Sequence, residues 1–502
     1  MNFSRFKFRT VAVVFLLSVS MAKGQSFPGA YGQRFQANQN VTRASGPRAG
    51  LDTLHRWNQI AINASGLDHT PVSPGETPTF GEQLGPARAS RAMAIDHIAM
   101  FDAMNAIVGD YESYTGVAAK GGAASLDAAI SQAAHDTLVS LFPSQKPAFD
   151  NFLSEDLARV ASKAQKADGI DLGRRAAAAI LALRVGDGSE VAESQVGIGP
   201  GFHETSNLAG HWRQDPISLI PLALGAHWSK CKTFVLQTSD QFRTPPPPDM
   251  TSAEYAAAYN EVKNVGGDGI FTPTQRTAEQ TFIGVFWAYD GTPSLCAPPR
   301  LYNQIAVQIA DQKRLGAPEL ARLLALLNVA MADTAMAVWD SKFYWDFWRP
   351  ITGIRESDPG TGPLGAGDGN SATTGNLTFR PFGAPASNLV GPNFTPPFPA
   401  YPSGHAGFGG AIFETLRRFF ATDNIGFTFV SDEFNGVTKG NDGNVRPYVP
   451  RSFSTFSQAE EENGQSRIYL GIHWAFDKTE GIAQGRRVAD YVFDRTFRPV
   501  RH

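Results

Sequence analysis

The chain has 502 residues, and its 44 lysines and arginines against 47 aspartates and glutamates give a formal net charge of -3. That balance excludes the strongly basic surface of nucleic-acid-binding domains, whereas 42% hydrophobic residues suffice for a large buried core. The chain has two cysteines, Cys231 and Cys296, which exclude a metal site built on cysteines alone but could form one disulfide or stay as buried thiols.

The N-terminus has the pattern of an export signal. Three basic residues within the first nine positions precede an apolar run at 11–22, and small residues follow before Gln25. This run is shorter than the ~20 residues of a membrane-spanning helix, which favours cleavage over a membrane anchor. No later stretch was expected to span a membrane. We predict a signal peptide at 1–24, an extended leader at 25–50, no membrane contact in the mature form, and a secreted or periplasmic location.

Helical patterns dominate the chain from residue 51 onward. The stretch 87–108 lacks glycine and proline and is rich in alanine, methionine and isoleucine, which predicts a long helix. Alternating apolar and polar runs, which would indicate strands, are scarce. Further helices are predicted at 126–142, 148–164, 172–183, 253–262, 276–288, 301–313, 318–342, 403–422, 457–473 and 479–496. The fold class is therefore mainly α, with two helical bundles packed together and long Gly/Pro-rich loops.

A proline run marks the predicted boundary between the two bundles. Residues 244–249 read Thr-Pro-Pro-Pro-Pro-Asp, which forms a stiff connection. We predict an N-terminal helical bundle at 51–243 and a C-terminal catalytic bundle at 244–502. Within the second bundle, the Gly-, Pro- and Asn-rich segment 357–397 is long enough to shape or cover a functional site.

Three segments carry candidate binding or catalytic side chains, and the first of them contains two cations. Trp339, Lys342, Asp346 and Arg349 are spaced by three, four and three residues, so they are predicted to share one face of a helix. Pro350 is predicted to end that helix, because the residue before a proline is disfavoured in the α conformation. The alternative is a solvated cationic face, which the surrounding tryptophans and phenylalanines disfavour.

The second segment is a predicted helix start. Ser403 fits an N-cap, and Gly404, without a Cβ atom, would let an anion approach the free N–H groups of the first turn. His405 follows directly. Taken alone, the segment fits an ordinary capped helix with a buried histidine better than it fits an anion site.

The third segment pairs a histidine with a carboxylate. Ser466, His473 and Asp477 are predicted to lie along one stripe of a single helix, with Arg467 beside it. Asp477 could accept the Nδ1 proton of His473 and leave Nε2 available to an electrophilic centre. Together, the three segments predict a cationic pocket for a tetrahedral oxyanion, where each cation–anion pair contributes about 4 kcal/mol before desolvation.

These segments, in this order, resemble the signature shared by vanadium-dependent haloperoxidases and type 2 phosphatidic acid phosphatase-like enzymes. The matching pattern is Lys342-x6-Arg349-Pro350, Pro402-Ser403-Gly404-His405 and Ser466-Arg467-x5-His473-x3-Asp477. The segments 286–291, 298–300, 339–342 and 398–401 further resemble the vanadium chloroperoxidases.

The resemblance implies a vanadate cofactor, with vanadium(V) bonded to Nε2 of His473. It implies that His405 is the acid–base catalyst, that Asp290 fixes the position of Arg467, and that Asp477 orients the metal-binding ring. The vanadate oxygens would be held by Lys342, Arg349, Ser403, Gly404 and Arg467.

The resemblance also implies the reaction. Hydrogen peroxide would oxidise chloride or bromide to hypohalous acid for an organic halogen acceptor, with Lys342 polarising the bound peroxide. Trp339 and Phe398 occupy positions that the resemblance associates with chloride-oxidising members. The oligomeric state is left open, with a homo-oligomer as one possibility.

Two other functions fit the same residues. In a soluble acid phosphatase, His473 would form a phosphohistidine and His405 would protonate the leaving group. A non-catalytic anion-binding protein is the third possibility, although binding alone requires neither histidine.

Overall fold

A computed structural model describes residues 49–72, 78–121, 123–293 and 295–500. The predicted signal peptide at 1–24, and the predicted leader up to residue 48, lie outside the described residues. The described residues form thirteen α-helices and five strands of two or three residues. The fold is mostly helical, as the sequence predicted.

Five helices precede the proline run. They are α1 (Leu51–Asp68), α2 (Pro86–Val108), α3 (Leu126–Leu141), α4 (Lys146–Arg159) and α5 (Lys163–Leu183). The sequence prediction placed one helix across 148–164 and began the next at 172. The chain instead breaks near Ser162, whose side chain accepts a hydrogen bond from Gln165 N and caps α5.

Eight helices follow the proline run. They are α6 (Ala253–Val265), α7 (Ala278–Phe286), α8 (Pro299–Lys313), α9 (Ala317–Trp345), α10 (Pro350–Arg355), α11 (Gly404–Phe420), α12 (Phe456–Tyr469) and α13 (Ala475–Arg495). The strands form two small sheets. β1 (Ser194–Val196) pairs with β2 (Phe202–His203) in parallel and with β3 (Leu222–Ala223) antiparallel. β4 (Phe427–Phe429) and β5 (Arg451–Phe453) are antiparallel.

Helix α9 runs through the centre of the protein. It packs against α2, α11 and α13, and it is buried along nearly its whole length. The expectation that no stretch after the N-terminus could span a membrane is wrong by composition, because α9 is long and apolar enough. However, 94% of its most apolar window is buried inside the protein, as in the core helix of a soluble fold.

One hydrophobic core contains residues from both predicted bundles. Leu54 and Met93 belong to the same cluster as Phe413 and Val488. This core runs across the predicted division at 244–249. The division itself stays a prediction. Cys231 and Cys296 are both buried free thiols.

Glycines set the distance between α11 and α13. A Cβ atom on Gly485 would lie 2.0 Å from the carbonyl oxygen of Gly407, and one on Gly481 would lie 2.7 Å from that of Ser403. The backbones can therefore approach only because these side chains are hydrogen atoms. In addition, Ser403 N donates to the backbone oxygen of Asp477 at 2.9 Å. The start of α11 is thereby held against the start of α13.

Candidate functional site

The first cationic segment is not one continuous helix. Helix α9 ends at Trp345, Asp346 adopts the left-handed conformation with φ 49°, and Arg349 is the extended residue before α10. The prediction of a shared helical face through Arg349 is therefore wrong. Pro350 opens the next helix, because its fixed φ suits a first helical position. Asp346 lies outside the site and pairs with His211 at 2.8 Å.

Lys342 braces the turn that leads to α11. Its buried ammonium group donates to the carbonyl oxygens of Pro399 and Ala400, each at 2.9 Å, and to that of Pro402. An ammonium has three donors, so these three carbonyls occupy all of them. Burial holds the pKa of Lys342 well below its ordinary value. Lys342 thus fixes the backbone just before Ser403.

Arg349 contacts the histidine of the third segment directly. Its Nη1 donates to His473 Nε2 at 2.9 Å and to Ile472 O at 2.8 Å, and its Nε donates to Phe398 O at 2.9 Å. Its Nη2 is buried and has no hydrogen-bond partner among the described residues. Burial lowers the pKa of Arg349 to about 9. One nitrogen of this guanidinium is therefore available to an anion.

The second segment is a capped helix start, as predicted. The Ser403 side chain accepts from Ala406 N at 3.4 Å, and Gly404 is the first residue of α11. His405 Nε2 donates to the carbonyl oxygen of Ala288, and its Nδ1 lies 3.7 Å from Asp290 Oδ1. Burial lowers the pKa of His405 to about 4. The ring is therefore neutral at pH 7.

Arg467 is fixed by Asp290. Its Nη2 donates to both carboxylate oxygens of Asp290, at 2.7 and 2.9 Å. Its Nε and Nη1 are buried and have no hydrogen-bond partner among the described residues. Asp290 thus holds one nitrogen of the guanidinium, and the other two are available to an anion.

The third segment also departs from one helix. Helix α12 ends at Tyr469, Gly471 takes φ 73°, and α13 begins only at Ala475. The prediction that His473 and Asp477 share a helical stripe is therefore wrong. A side chain at Gly471 would collide with Gly266, since its Cβ would lie 2.3 Å from the Gly266 carbonyl oxygen.

The predicted histidine–carboxylate pair forms nevertheless. Asp477, in the first turn of α13, places Oδ2 2.7 Å from His473 Nδ1 and also accepts from Trp474 N at 3.0 Å. Burial holds the pKa of His473 well below its ordinary value and raises that of Asp477 to about 7. His473 Nε2 is consequently the nitrogen that faces Arg349.

These groups lie together at the place predicted for the oxyanion pocket. Arg349 Nη1 donates to His473 Nε2, and Arg467 is paired with Asp290, whose Oδ1 lies 3.7 Å from His405 Nδ1. Burial, and then the positive charges of Arg349, Lys342 and Arg467, lower the pKa of His473. Buried guanidinium nitrogens without partners are costly, and an oxyanion would satisfy them. Among the described residues, no cluster of three His, Cys, Asp or Glu side chains could hold a bare metal cation. The donor set fits a tetrahedral oxyanion.

An aromatic wall borders the pocket. The Trp339 and Phe398 rings meet edge to face with centroids 5.0 Å apart, and Lys342 Nζ lies 5.8 and 5.1 Å from them. Sequence reasoning did not single out Leu224 and Gly225, which contact the other side of Trp339. No local signal marks these two residues.

Comparison with known proteins places this pocket in a recognised domain. Residues 322–502 match the family model of the VCPO second helical-bundle domain. The vanadium chloroperoxidase of Curvularia inaequalis is 35% identical over a region that covers 49% of this chain and 44% of that protein. The matched region thus spans less than half of that relative's length.

Two solved structures share the overall fold. A bacterial vanadium-dependent iodoperoxidase superposes with a TM-score of 0.69 at 22% identity, covering 91% of this chain and 98% of that one. An apo-type bacterial vanadium-dependent chloroperoxidase gives a TM-score of 0.61 at 14% identity, covering 82% and 94%. The chain therefore has the fold of the vanadium haloperoxidases, and its residues 322–502 match the VCPO second helical-bundle domain.

Proposed function

We propose that this protein is a vanadate-dependent haloperoxidase that uses hydrogen peroxide to oxidise a halide to hypohalous acid. The observation that carries the proposal is the contact of Arg349 Nη1 with His473 Nε2, together with the buried nitrogens without partners on Arg349 (Nη2) and Arg467 (Nε and Nη1). The match to the VCPO second helical-bundle domain covers all three residues.

The chain's own residues suit a vanadate anion. His473 would bind it through Nε2, and Arg349, Arg467, Ser403 and the Gly404 N–H would hold its oxygens. Bound vanadate supplies a Lewis acid that activates peroxide. Lys342 contributes positive charge while it braces the turn beside the pocket.

Asp477 prepares His473 for that role. Its carboxylate accepts from Nδ1, which fixes the hydrogen there and leaves the lone pair on Nε2. Arg349 Nη1 donates to that lone pair in this structure and would give it up to vanadate. Burial, and then the three neighbouring cations, lower the pKa of His473 and keep the ring neutral. A neutral imidazole with its lone pair on Nε2 is the state that binds a metal centre.

His405 is prepared as a base. A carbonyl oxygen only accepts, so the contact with Ala288 places the ring hydrogen on Nε2. In the neutral ring, Nδ1 then carries the lone pair and can take a proton from incoming peroxide. Asp290, 3.7 Å from Nδ1, would stabilise the resulting positive charge.

We propose chloride and bromide as substrates, with bromide the easier to oxidise. The aromatic wall of Trp339 and Phe398 supports this, because an apolar surface removes water from a small halide. Iodide is tested alongside them, since one structural relative is an iodoperoxidase.

The decisive experiment is halogenation of a dye by protein purified without phosphate. Chloride, bromide and iodide are each supplied with hydrogen peroxide, with and without added vanadate. We expect halogenation only with vanadate, its loss in His473→Ala, and its retention in the control His55→Ala. Hydrolysis of phosphate esters that vanadate inhibits, without halogenation, would instead establish the acid phosphatase. Binding of vanadate with neither activity would establish an anion-binding protein.

We further propose that the mature protein is secreted or periplasmic and acts on an organic halogen acceptor. The support for export is the N-terminal sequence pattern at 1–24. Mass spectrometry of the protein from its native host should find a new N-terminus near Gln25. The mass in solution would show whether it forms a homo-oligomer.

A further inference from the structure

Trp339 is clamped from outside the pocket by a segment that we call the wall loop, residues 224–228. The indole Nε1 donates to the Leu224 carbonyl oxygen at 2.9 Å. A Cβ atom on Gly225 would lie 2.0 Å from Trp339 Cδ1 and 2.1 Å from Nε1. Gly225 also has φ 91°, which side chains rarely adopt. The Cδ1–Nε1 edge of the indole therefore packs directly against the backbone of the wall loop.

The opposite side of the indole faces the oxyanion pocket. A Cβ atom on Gly404 would lie 3.2 Å from Trp339 Cη2, and Phe398 contacts the ring edge to face. The wall loop is also tied to the segment before Phe398, because Leu224 N donates to Pro397 O at 3.0 Å. A shift of the wall loop would therefore move both aromatic rings.

A single carboxylate holds the wall loop in place. Glu193 Oε2 accepts from Gly225 N at 2.7 Å, while Oε1 accepts from Trp228 Nε1 at 3.1 Å and from Arg88 Nη2 at 3.2 Å. The carboxylate is mostly buried, with 11% side-chain exposure. Charge-assisted hydrogen bonds of this kind are about twice as strong as neutral ones.

We propose that Glu193 and Gly225 are positioning residues that set halide affinity by fixing Trp339 against Phe398. This inference rests on the proposed function, in which that aromatic wall contacts the halide. Neither residue touches the oxyanion donors. Replacing either residue should therefore weaken the affinity for halide while leaving vanadate affinity and peroxide KM unchanged.

The test compares Glu193→Gln and Gly225→Ala with matched controls. In Glu193→Gln, the amide nitrogen must face a donor from which the carboxylate now accepts, so at least one of these hydrogen bonds is lost. Glu190→Gln, an exposed neighbour, is its control. Gly186→Ala controls for backbone strain, because Gly186 also has positive φ (64°) but nothing lies within 4 Å of its Cβ position. We expect the halide KM to rise about tenfold in both test variants, with peroxide KM and vanadate affinity unchanged.

A second readout does not depend on activity. The indole N–H resonance of Trp339, assigned with Trp339→Phe, should shift and exchange faster with solvent in Glu193→Gln than in wild type. An unchanged resonance together with an unchanged halide KM would overturn the inference. A joint rise of halide and peroxide KM with loss of vanadate binding would also overturn it, since it would mean general damage. If wild type oxidises no halide, the proposed function fails, and the resonance alone still decides whether Glu193 positions Trp339.

Discussion

At the scale of single residues, the site depends on which nitrogen of each histidine carries the hydrogen. Asp477 fixes it on Nδ1 of His473, and the Ala288 carbonyl fixes it on Nε2 of His405. The lone pair therefore lies on Nε2 in His473 and on Nδ1 in His405. The two histidines are prepared differently although both are buried and neutral.

Replacing Asp477 with asparagine should weaken vanadate binding without unfolding the protein. The amide oxygen would still accept from Trp474 N and from His473 Nδ1, but without a negative charge it holds the ring hydrogen less firmly and makes Nε2 a weaker metal ligand. Removal of such an orienting partner costs about 10- to 100-fold in metal affinity. A vanadate titration monitored by halogenation or by calorimetry measures the change. Asp494→Asn, at the exposed end of the same helix, should bind vanadate as wild type does.

The sequence pattern names residues that the fold brings together, but it does not predict their backbone conformations. Arg349 and His473, which are 124 residues apart in the chain, are in direct contact, while their role as site residues stays a prediction. The helices expected to carry them end earlier, at Trp345 and Tyr469. Those ends depend on contacts such as that of Gly471 with Gly266, which are distant in sequence and leave no local signal.

At the scale of elements, the packing of α11 on α13 positions the start of α11 in the pocket. Isolated helices gain about 1 kcal/mol when an interior glycine becomes alanine. In this pair the gain is reversed, because the Cβ atom would lie inside the contact distance of a backbone oxygen. The sequence alone does not name the partner helix of these glycines, because that partner is set by the tertiary fold.

Gly485→Ala should therefore destabilise the protein by about 2 kcal/mol, a typical cost of overpacking. The added methyl group would meet the Gly407 carbonyl oxygen at 2.0 Å and force the two helices apart. Denaturant unfolding followed by circular dichroism measures the loss. Arg487→Ala, on the exposed side of α13, is the control and should change the unfolding free energy little. Equal or greater stability of Gly485→Ala would contradict the close packing.

Asp96, inside α2, predicts a pH dependence of stability. Burial raises its pKa from 3.8 to about 8, and within the described part of the chain only Thr137 donates to it. Its folded-state pKa is raised, so its stabilising contribution is full below pH 3.8 and is lost as pH rises toward 8. Relative to Asp96→Asn, wild type should lose about 1.4 kcal/mol of unfolding free energy per pH unit within that window.

The measurement is urea unfolding of both proteins at several pH values between these two pKa values. A constant difference between wild type and Asp96→Asn would show that the folded carboxyl titrates normally. Asp171→Asn is the control, because that carboxyl is exposed and paired with Arg175.

At the scale of the whole molecule, the pocket is assembled from parts that lie far apart in the chain. Asp290 follows α7, Lys342 lies in the last turn of α9, His405 lies in the first turn of α11, and His473 lies between α12 and α13. The sequence supplied the fold class and the order of these parts. It could not supply the shared core that joins both predicted bundles, because the membership of Leu54 and Phe413 in one core is a property of the tertiary fold alone.

Because the pocket joins these distant parts, an oxyanion that fills it should stabilise the whole protein. A ligand that binds only the folded state adds about 2.7 kcal/mol at one hundred times its Kd. Vanadate, and more weakly phosphate, should therefore raise the Tm in a concentration-dependent way. The effect follows from satisfying the open nitrogens of Arg349 and Arg467 and from offsetting the repulsion among the buried cations. Differential scanning fluorimetry at fixed pH and ionic strength, with sulfate-free buffer, measures it.

Arg349→Gln should lower the Tm gain from vanadate and phosphate alike, because both anions need the guanidinium. His473→Ala should remove the advantage of vanadate over phosphate, because only vanadate bonds to the imidazole in the proposed complex. Arg380→Gln, which removes an arginine that stacks on Phe271 away from the pocket, should leave both gains unchanged. A vanadate gain that survives in Arg349→Gln and His473→Ala would place the anion elsewhere on the protein.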